Sequence, residues 1–414
     1  MMGGKIMDVI HARCAGLDVH KDTVVGCVRC AVDGKVEQEV RTFSTTTAGL
    51  AALAEWLTSR GCTHVAMEAT GVYWKPVWHV LEGRLELVLA NAMHIRNVPG
   101  RKTDVNDATW IADLLAHGLI RGSFVPPAEI QRMRDLTRTR KQLVREVAQH
   151  TLRIQKTLED ANLKLTGTIS DVLGQTGRAI LDALVGGETN PERLADLAHH
   201  RIKAPRTKLV EVLRGHVTDH HRFMLKLHLG QVDALRASIA EVDAQLGKAL
   251  APMRALVDCL ITMPGVGEIV AQVVVSEIGT DMARFPTPGH LISWAGLCPR
   301  MDESAGKRRN TRVRKGAPWL KTALVQAAWA AVSKKNCYAR AQFLRIKARR
   351  GAKKAILAVA ASMLTAAYYI LRDGVEYRDL GADHFDRHDK TRTVHRLARR
   401  IEQLGYTVDL RPAA

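Results

Sequence analysis

"RCAGLDVHKDTVVGCVRCAVDGKVEQEVRTFST", residues 13–45, reads as three strands in succession. A short apolar run ends at Asp18. "TVVGCVRCAV" follows a polar break, and Asp33-Gly34 separates it from "KVEQEVRTFST". An Asp-Gly pair between two such runs signals a tight hairpin, because both residues tolerate the positive φ that such turns need.

The stretches that follow fix what kind of sheet these strands join. Thr45–Thr47 supply caps for "AGLAALAEWLTSR", whose leucines, alanines and Trp56 make a helical stripe. "HVAMEAT" reads as a strand ending near Glu68, and "LELVLANA" as another. "NDATWIADLLAHG" carries Ala108, Ile111, Leu114 and Leu115 on one helix face, with Gly118 as its stop. The order β-β-β-α-β-α-β-α is not that of a simple doubly wound fold. It is the order of a ribonuclease H-like mixed sheet, so the fold class is α/β followed by α.

Pro126-Pro127 marks a boundary. Beyond it, Val147, Thr151, Ile154, Leu158, Ala161 and Leu165 are spaced by four and three, as are Leu225, Leu229, Val232, Leu235, Ile239, Val242 and Leu246. Such seams predict two long helices pairing as an antiparallel or intermolecular coiled coil, or packing in an ordinary bundle. Residues 166–215 between them read as small helices. After residue 250 come "LITMPGVGEIVAQVVVSEIG", a basic loop, and the helices "APWLKTALVQAAWAAVSKK" and "KKAILAVAASMLTAAYYILRDG". Expected domains are 1–126 (mixed sheet), 127–250 (coiled coil), 251–375 (mainly helical, with a helix-hairpin-helix-like turn) and 376–414 (basic tail with one amphipathic helix).

The formal charge of +19 is too large to sit comfortably without a polyanion, which makes nucleic acid the first expected partner. It is concentrated: residues 300–354 hold 17 Lys/Arg against Asp302 and Glu303. Aromatics at 5% argue against a protein that binds single strands mainly by stacking. No apolar run suggests a signal peptide or a membrane partner. Seven scattered cysteines suit a reducing cytoplasm, and Cys27 and Cys30 read as buried strand residues rather than zinc ligands.

Three constellations carry chemistry. Asp18 and Glu68 end neighbouring strands of such a sheet, and Asp104 and Asp107 open the helix that follows. Each acid alone has an ordinary use, but four converging carboxylates require cations, and oxygen ligands suit Mg²⁺ or Mn²⁺. The turn around Gly265 and Gly267 offers backbone N–H groups to a phosphate. Ser304 lies in a cationic loop with Lys307, Arg308, Arg309, Arg312, Arg314 and Lys315. From composition alone it reads as a phosphate contact rather than a nucleophile.

"GLDVHKDT", "MEATGVYW", "KTDVNDA", "MPGVGE", "WAGLCPRMDESAGK", "RKGAPWLKTALVQAA" and "KKAILAVAASML" resemble, in order, the insertion-sequence one-ten family of transposases, related to the Piv/MooV DNA invertases. The resemblance runs from about residue 11 to residue 373. It implies a RuvC-like domain whose DEDD acids are Asp18, Glu68, Asp104 and Asp107, a coiled coil, and a C-terminal domain with a nucleophilic serine at Ser304. It further implies a recombinase guided by a bridge RNA that pairs with donor and target DNA. The implied assembly is a tetramer, a dimer of dimers, combining one protomer's acids with another's serine, in the bacterial cytoplasm at the nucleoid. Where the family has Ser-Gly, this chain has Ser304-Ala305-Gly306. Ser293 is the nearest other serine. A metal-dependent nuclease without a covalent intermediate, a protein-guided invertase and a non-catalytic scaffold are the competing readings.

Overall fold

The computed structural model describes residues 9–32, 35–91, 95, 107–299, 302–304, 306–310, 312–314, 316–388 and 390–410. The chain divides into two compact units, Met1–Val125 and Pro126–Ala414.

The first unit contains β1 (Arg13–Val19), β2 (Thr23–Val32), β3 (Lys35–Ser44), α1 (Thr47–Ser59), β4 (His64–Glu68), α2 (Trp74–Leu81), β5 (Glu86–Ala90) and α3 (Asp107–Ala116). The sheet order is β3-β2-β1-β4-β5. β2 is antiparallel to both β1 and β3, whereas β4 is parallel to β1 and β5. This is the mixed sheet expected from the strand order. Val32 pairs with Lys35, as a hairpin between the two strands requires; Asp33 and Gly34 lie outside the described residues. Thr46 caps α1, its Oγ1 accepting from Gly49 N at 3.3 Å.

Alternation along β1 divides the side chains between two cores. Ala15, Leu17 and Val19 pack with Leu50, Leu53 and Leu57 of α1. Cys14 faces the other way and packs with Ala66, Ala90, Ile111 and Leu115. The same alternation separates the two cysteines of the C-x-x-C. Cys27 packs with Ala108 and Ala112 of α3, and Cys30 against the α1 core. Residues three apart on a strand point to opposite faces, so the pair cannot share one ion there.

In the second unit, α4 (Ala128–Asp160) leads through a 3₁₀ turn at Leu165–Gly167 into α5 (Gln175–Val185), α6 (Pro191–Asp196) and α7 (Arg206–Val212); α8 (Asp219–Leu250) returns. His221 Nε2 lies 3.1 Å from Asp160 Oδ2, His150 Nδ1 lies 3.3 Å from His228 Nδ1, and Arg140 Nε donates to Asp243 at 2.5 Å. These pairs run in opposite directions along the two helices, so the seams meet antiparallel within one chain. The first seam is shorter than its spacing suggests. α4 ends at Asp160 and Asn162 takes φ 56°, a left-handed conformation that asparagine tolerates. Leu163 and Leu165 then fold back into the core formed by Ile154, Leu158, Ile180, Leu184, Leu225 and Leu229.

The chain continues through α9 (Arg254–Ile261), α10 (Glu268–Ile278), α11 (Pro288–Ala295), the hairpin β6 (Asp302–Ser304) and β7 (Lys307–Asn310), α12 (Pro318–Ser333), α13 (Tyr338–Arg350), α14 (Ala352–Asp373), α15 (His384–His388) and α16 (Lys390–Glu402). Among the described residues, only α14 is long and apolar enough to cross a membrane, with mean hydropathy 1.6. Here its Ala355, Ile356, Val359, Ala360 and Leu364 are buried, and it packs on α12 and α13.

A buried ion pair fastens α4 to α10. Glu277 is 1% exposed and takes both Arg138 Nε (2.8 Å) and Nη2 (2.9 Å), while Arg134 Nη2 donates to the Glu277 carbonyl. Burial pulls the Arg134 guanidinium down to about 10, against the opposing pull of Glu277. Arg138 and Arg145 also lie over the Trp319 ring at 5.8 and 5.4 Å, fixing the start of α12.

Candidate functional site

The first unit carries the acids on regular elements. Leu17 of β1 pairs with Met67 of β4, so Asp18 and Glu68 follow side by side at the ends of adjacent parallel strands. Asp18 is two residues beyond Gly16 and Glu68 two beyond Ala66. Alternation therefore sets both carboxylates on the sheet face covered by α3. A Cβ on Gly16 would lie 2.2 Å from Ala108 O and 2.4 Å from Ala112 N. Only glycine lets the α3 backbone rest on β1 this closely. Asp107 precedes Ala108 and opens that helix, so the same approach brings it to the same face of the sheet. Asp104 lies outside the described residues.

The Asp18 side chain is 20% exposed, and His20 Nε2 sits 3.1 Å from its Oδ2. Glu68 is half-buried and Asp107 exposed. These three acids offer only carboxylate oxygens, the donor type that hard divalent cations take, so the chemistry of the set fits Mg²⁺ or Mn²⁺. Among the described residues no group of three His, Cys, Asp or Glu is gathered closely enough to hold an ion. The described acids share a face without closing a coordination sphere.

The second unit presents Ser304 differently. The expected basic loop is an ordered two-stranded arm over part of its length. β6 and β7 pair antiparallel, with Ser304 opposite Lys307 and Gly306 at φ 72° in the turn. The register sets Glu303 opposite Arg308, with a shift between Asp302 and Glu303. A bridge between Pro299 and Val313 continues the arm toward its base. There Gly296 and Gly316, at φ 71° and 54°, touch: a Cβ on Gly316 would fall 2.5 Å from Gly296 Cα. Lys307, Arg312 and Arg314 are exposed, and the Arg314 carbonyl accepts from Lys321 Nζ at 3.0 Å. For Ser304, Arg308 and Arg309 the backbone alone is described, and Lys315 lies outside the described residues. Ser293 is inside α11 and half-buried.

The two turn glycines separate in role. Gly265 has φ 80° and its α-carbon lies against α12, where a Cβ would meet Ala327 O at 2.2 Å. Packing explains that glycine without any ligand. Gly267 caps α10, is exposed, and has open space where a Cβ would be.

Sequence reading passed over His20 and Gly16. Both lie within "GLDVH", two residues either side of Asp18, and that period of two is the signal that sets them on its face. It also passed over Trp319 and its two arginines, which no local pattern connects.

Residues 15–162 match the IS110 transposase family of DEDD type, and residues 257–344 match the transposase family IS116/IS110/IS902. The first span covers the acids, the second the glycine turn and Ser304. A 43.6 kDa protein of unassigned role from insertion element IS110 of Streptomyces coelicolor is 31% identical over 154 residues, 35% of this chain. The matched segment spans 38% of that relative's length.

Proposed function

We propose that this chain, matched in both of its units by the IS110 transposases, belongs with that family and cuts and rejoins DNA strands during transposition of an insertion sequence. The observation that carries this reading is the shared α3 face of Asp18, Glu68 and Asp107. Three carboxylates at one edge of such a sheet suit phosphoryl transfer better than any structural task.

Asp18, Glu68, Asp104 and Asp107 would hold Mg²⁺ or Mn²⁺, which when bound supplies Lewis-acid stabilisation of charge on the phosphate. Ser304 Oγ attacks the phosphorus and gives up its proton. The bond from phosphorus to one deoxyribose oxygen breaks, and that oxygen leaves as a hydroxyl. The phosphoserine ester retains the bond energy, so a hydroxyl of a second strand can displace the serine without ATP. Lys307, Arg308, Arg309, Arg312, Arg314 and Lys315 draw the backbone in and stabilise the developing charge. Gly267 offers its helix end to a phosphate oxygen. Sequence choice rests on a bridge RNA paired with donor and target DNA, as in other RNA-guided systems, and the working form is a homotetramer. No step needs a membrane; the reaction belongs with DNA in the bacterial cytoplasm.

The test is covalent trapping. The protein, the RNA encoded beside its reading frame, and labelled donor and target DNA are mixed with Mg²⁺ and denatured. Label should remain on the protein, and should vanish in Ser304→Ala and in Asp18→Asn. Cleaved DNA without an adduct, unchanged by Ser304→Ala, would instead establish a metal-dependent hydrolase.

A further inference from the structure

One surface of the second unit is used neither by the acids nor by the arm. From Ser304 to Arg372 the chain has no Asp or Glu and 17 Lys/Arg. Within this stretch, α12 and α13 present Trp329. It is 47% exposed, the one exposed residue among the chain's seven tryptophans. Its indole meets the ring of buried Phe343 edge-on at 5.6 Å, and Lys347 Nζ lies 5.8 Å from the centre of the same ring. Leu344, beside Phe343, is 50% exposed. Arg340, one turn before Phe343, donates to the Val332 carbonyl at 3.1 Å and holds the two helices together. Lys334 and Lys335 at the end of α12, and Lys347, Arg349 and Arg350 along α13, are exposed.

We propose that this face of α12 and α13 is a stacking platform for single-stranded nucleic acid, with one unpaired base lying on Trp329 and its flanking phosphates on Lys347 and the neighbouring cations. The proposal rests on the nucleic-acid reading above and deepens it by naming a second contact and the strand form it takes. Three features select this occupant. The edge contact with buried Phe343 restrains an indole that is nearly half exposed, and a restrained, exposed aromatic ring is what a base stacks on. A protein partner with an apolar patch would have to desolvate these exposed lysines without offering them charge, an unfavourable exchange. A duplex offers phosphates but no free base face. With aromatics at only 5%, stacking would fall to single residues such as this one rather than to a series.

The experiment measures binding of the full chain to fluorescein-labelled oligonucleotides, as deoxythymidine and uridine single strands and as a mixed-sequence duplex. Trp329→Ala should weaken single-strand binding about tenfold, equivalent to ~1.4 kcal/mol. Trp329→Phe should restore most of it, and the duplex should be bound as before. Lys347→Gln should lower the slope of log affinity against log salt by about one for single strands. With the unaltered protein, oligonucleotides lacking bases should bind about as weakly as Trp329→Ala binds intact ones, a result that no folding defect can imitate. Comparing the deoxy and ribo series assigns the strand to a DNA substrate or to guide RNA. Equal affinity for intact and abasic strands would overturn the platform and leave the nucleic-acid reading standing. Failure to bind any of these polymers would overturn that reading itself.

Discussion

The acid-bearing sheet and the serine-bearing arm are held in place by opposite means. Asp18 and Glu68 end paired strands, and their positions follow from register and from a period of two. Ser304 stands on a two-stranded arm whose base is a contact between Gly296 and Gly316, with Trp319 beyond it clamped by Arg138 and Arg145. The carboxylates proposed to share a cation are set on rigid elements, where small displacements would separate them. The serine is carried out from the helical body on a short ladder fixed at its root. The two halves of the proposed chemistry are thus fixed by different residues, and damage to one should spare the other's fold.

Gly16→Val gives the largest effect. The new side chain would overlap the α3 backbone at Ala108, so the first unit should lose about 3 kcal/mol or more, at or above the upper end of ordinary overpacking costs. Cleavage should disappear, while the second unit keeps its own thermal transition in calorimetry. Both transitions collapsing together would show that the two units do not fold independently.

Glu277→Ala should cost the second unit about 3 kcal/mol, because it leaves Arg138 and the buried Arg134 without their carboxylate. Its urea midpoint should fall while the signal from the sheet is unmoved. Gly316→Val attacks the base of the arm, where a side chain would meet Ala295 and force φ 54° on a branched residue. We expect about 1–3 kcal/mol and a loss of adduct formation out of proportion to the fall in melting temperature. An adduct yield that merely follows the melting temperature would show the arm's base to be ordinary packing.

The smallest effect is one of pH. Burial, with His150 and Arg153 nearby, holds the His228 imidazole below its ordinary value. As pH falls through about 6.5, the unfolded chain takes up a proton that folded His228 resists, so stability declines until pH passes below the depressed value. Urea midpoints of the second unit should drop between roughly pH 7.5 and pH 5. His228→Leu should flatten that drop; an unchanged drop would place the titration elsewhere.

Much of this was legible in the amino-acid sequence because it depends on local periods. Alternation and an Asp-Gly pair predicted the hairpin and the mixed sheet, and Asp18, Glu68 and Asp107 fell at strand and helix ends for the same reason. The four-three spacing predicted two long helices. Their partnership was not legible, since an apolar seam is satisfied equally by its own chain or by another copy. The contacts of Asp160 with His221 and of Arg140 with Asp243 decided it.

What the sequence determined by itself was the order of elements, the placement of Asp18 and Glu68 at strand ends and of Asp107 at a helix start, and the concentration of positive charge, all properties of near neighbours along the chain. Tertiary structure alone decided that Gly16 and Gly265 are glycines because a helix backbone lies against each. It also decided that α14 is a core helix, and that of seven tryptophans Trp329 is the exposed one, the others being buried or half-buried. Those are matters of close approach between distant segments, and no local pattern encodes which surface will be covered.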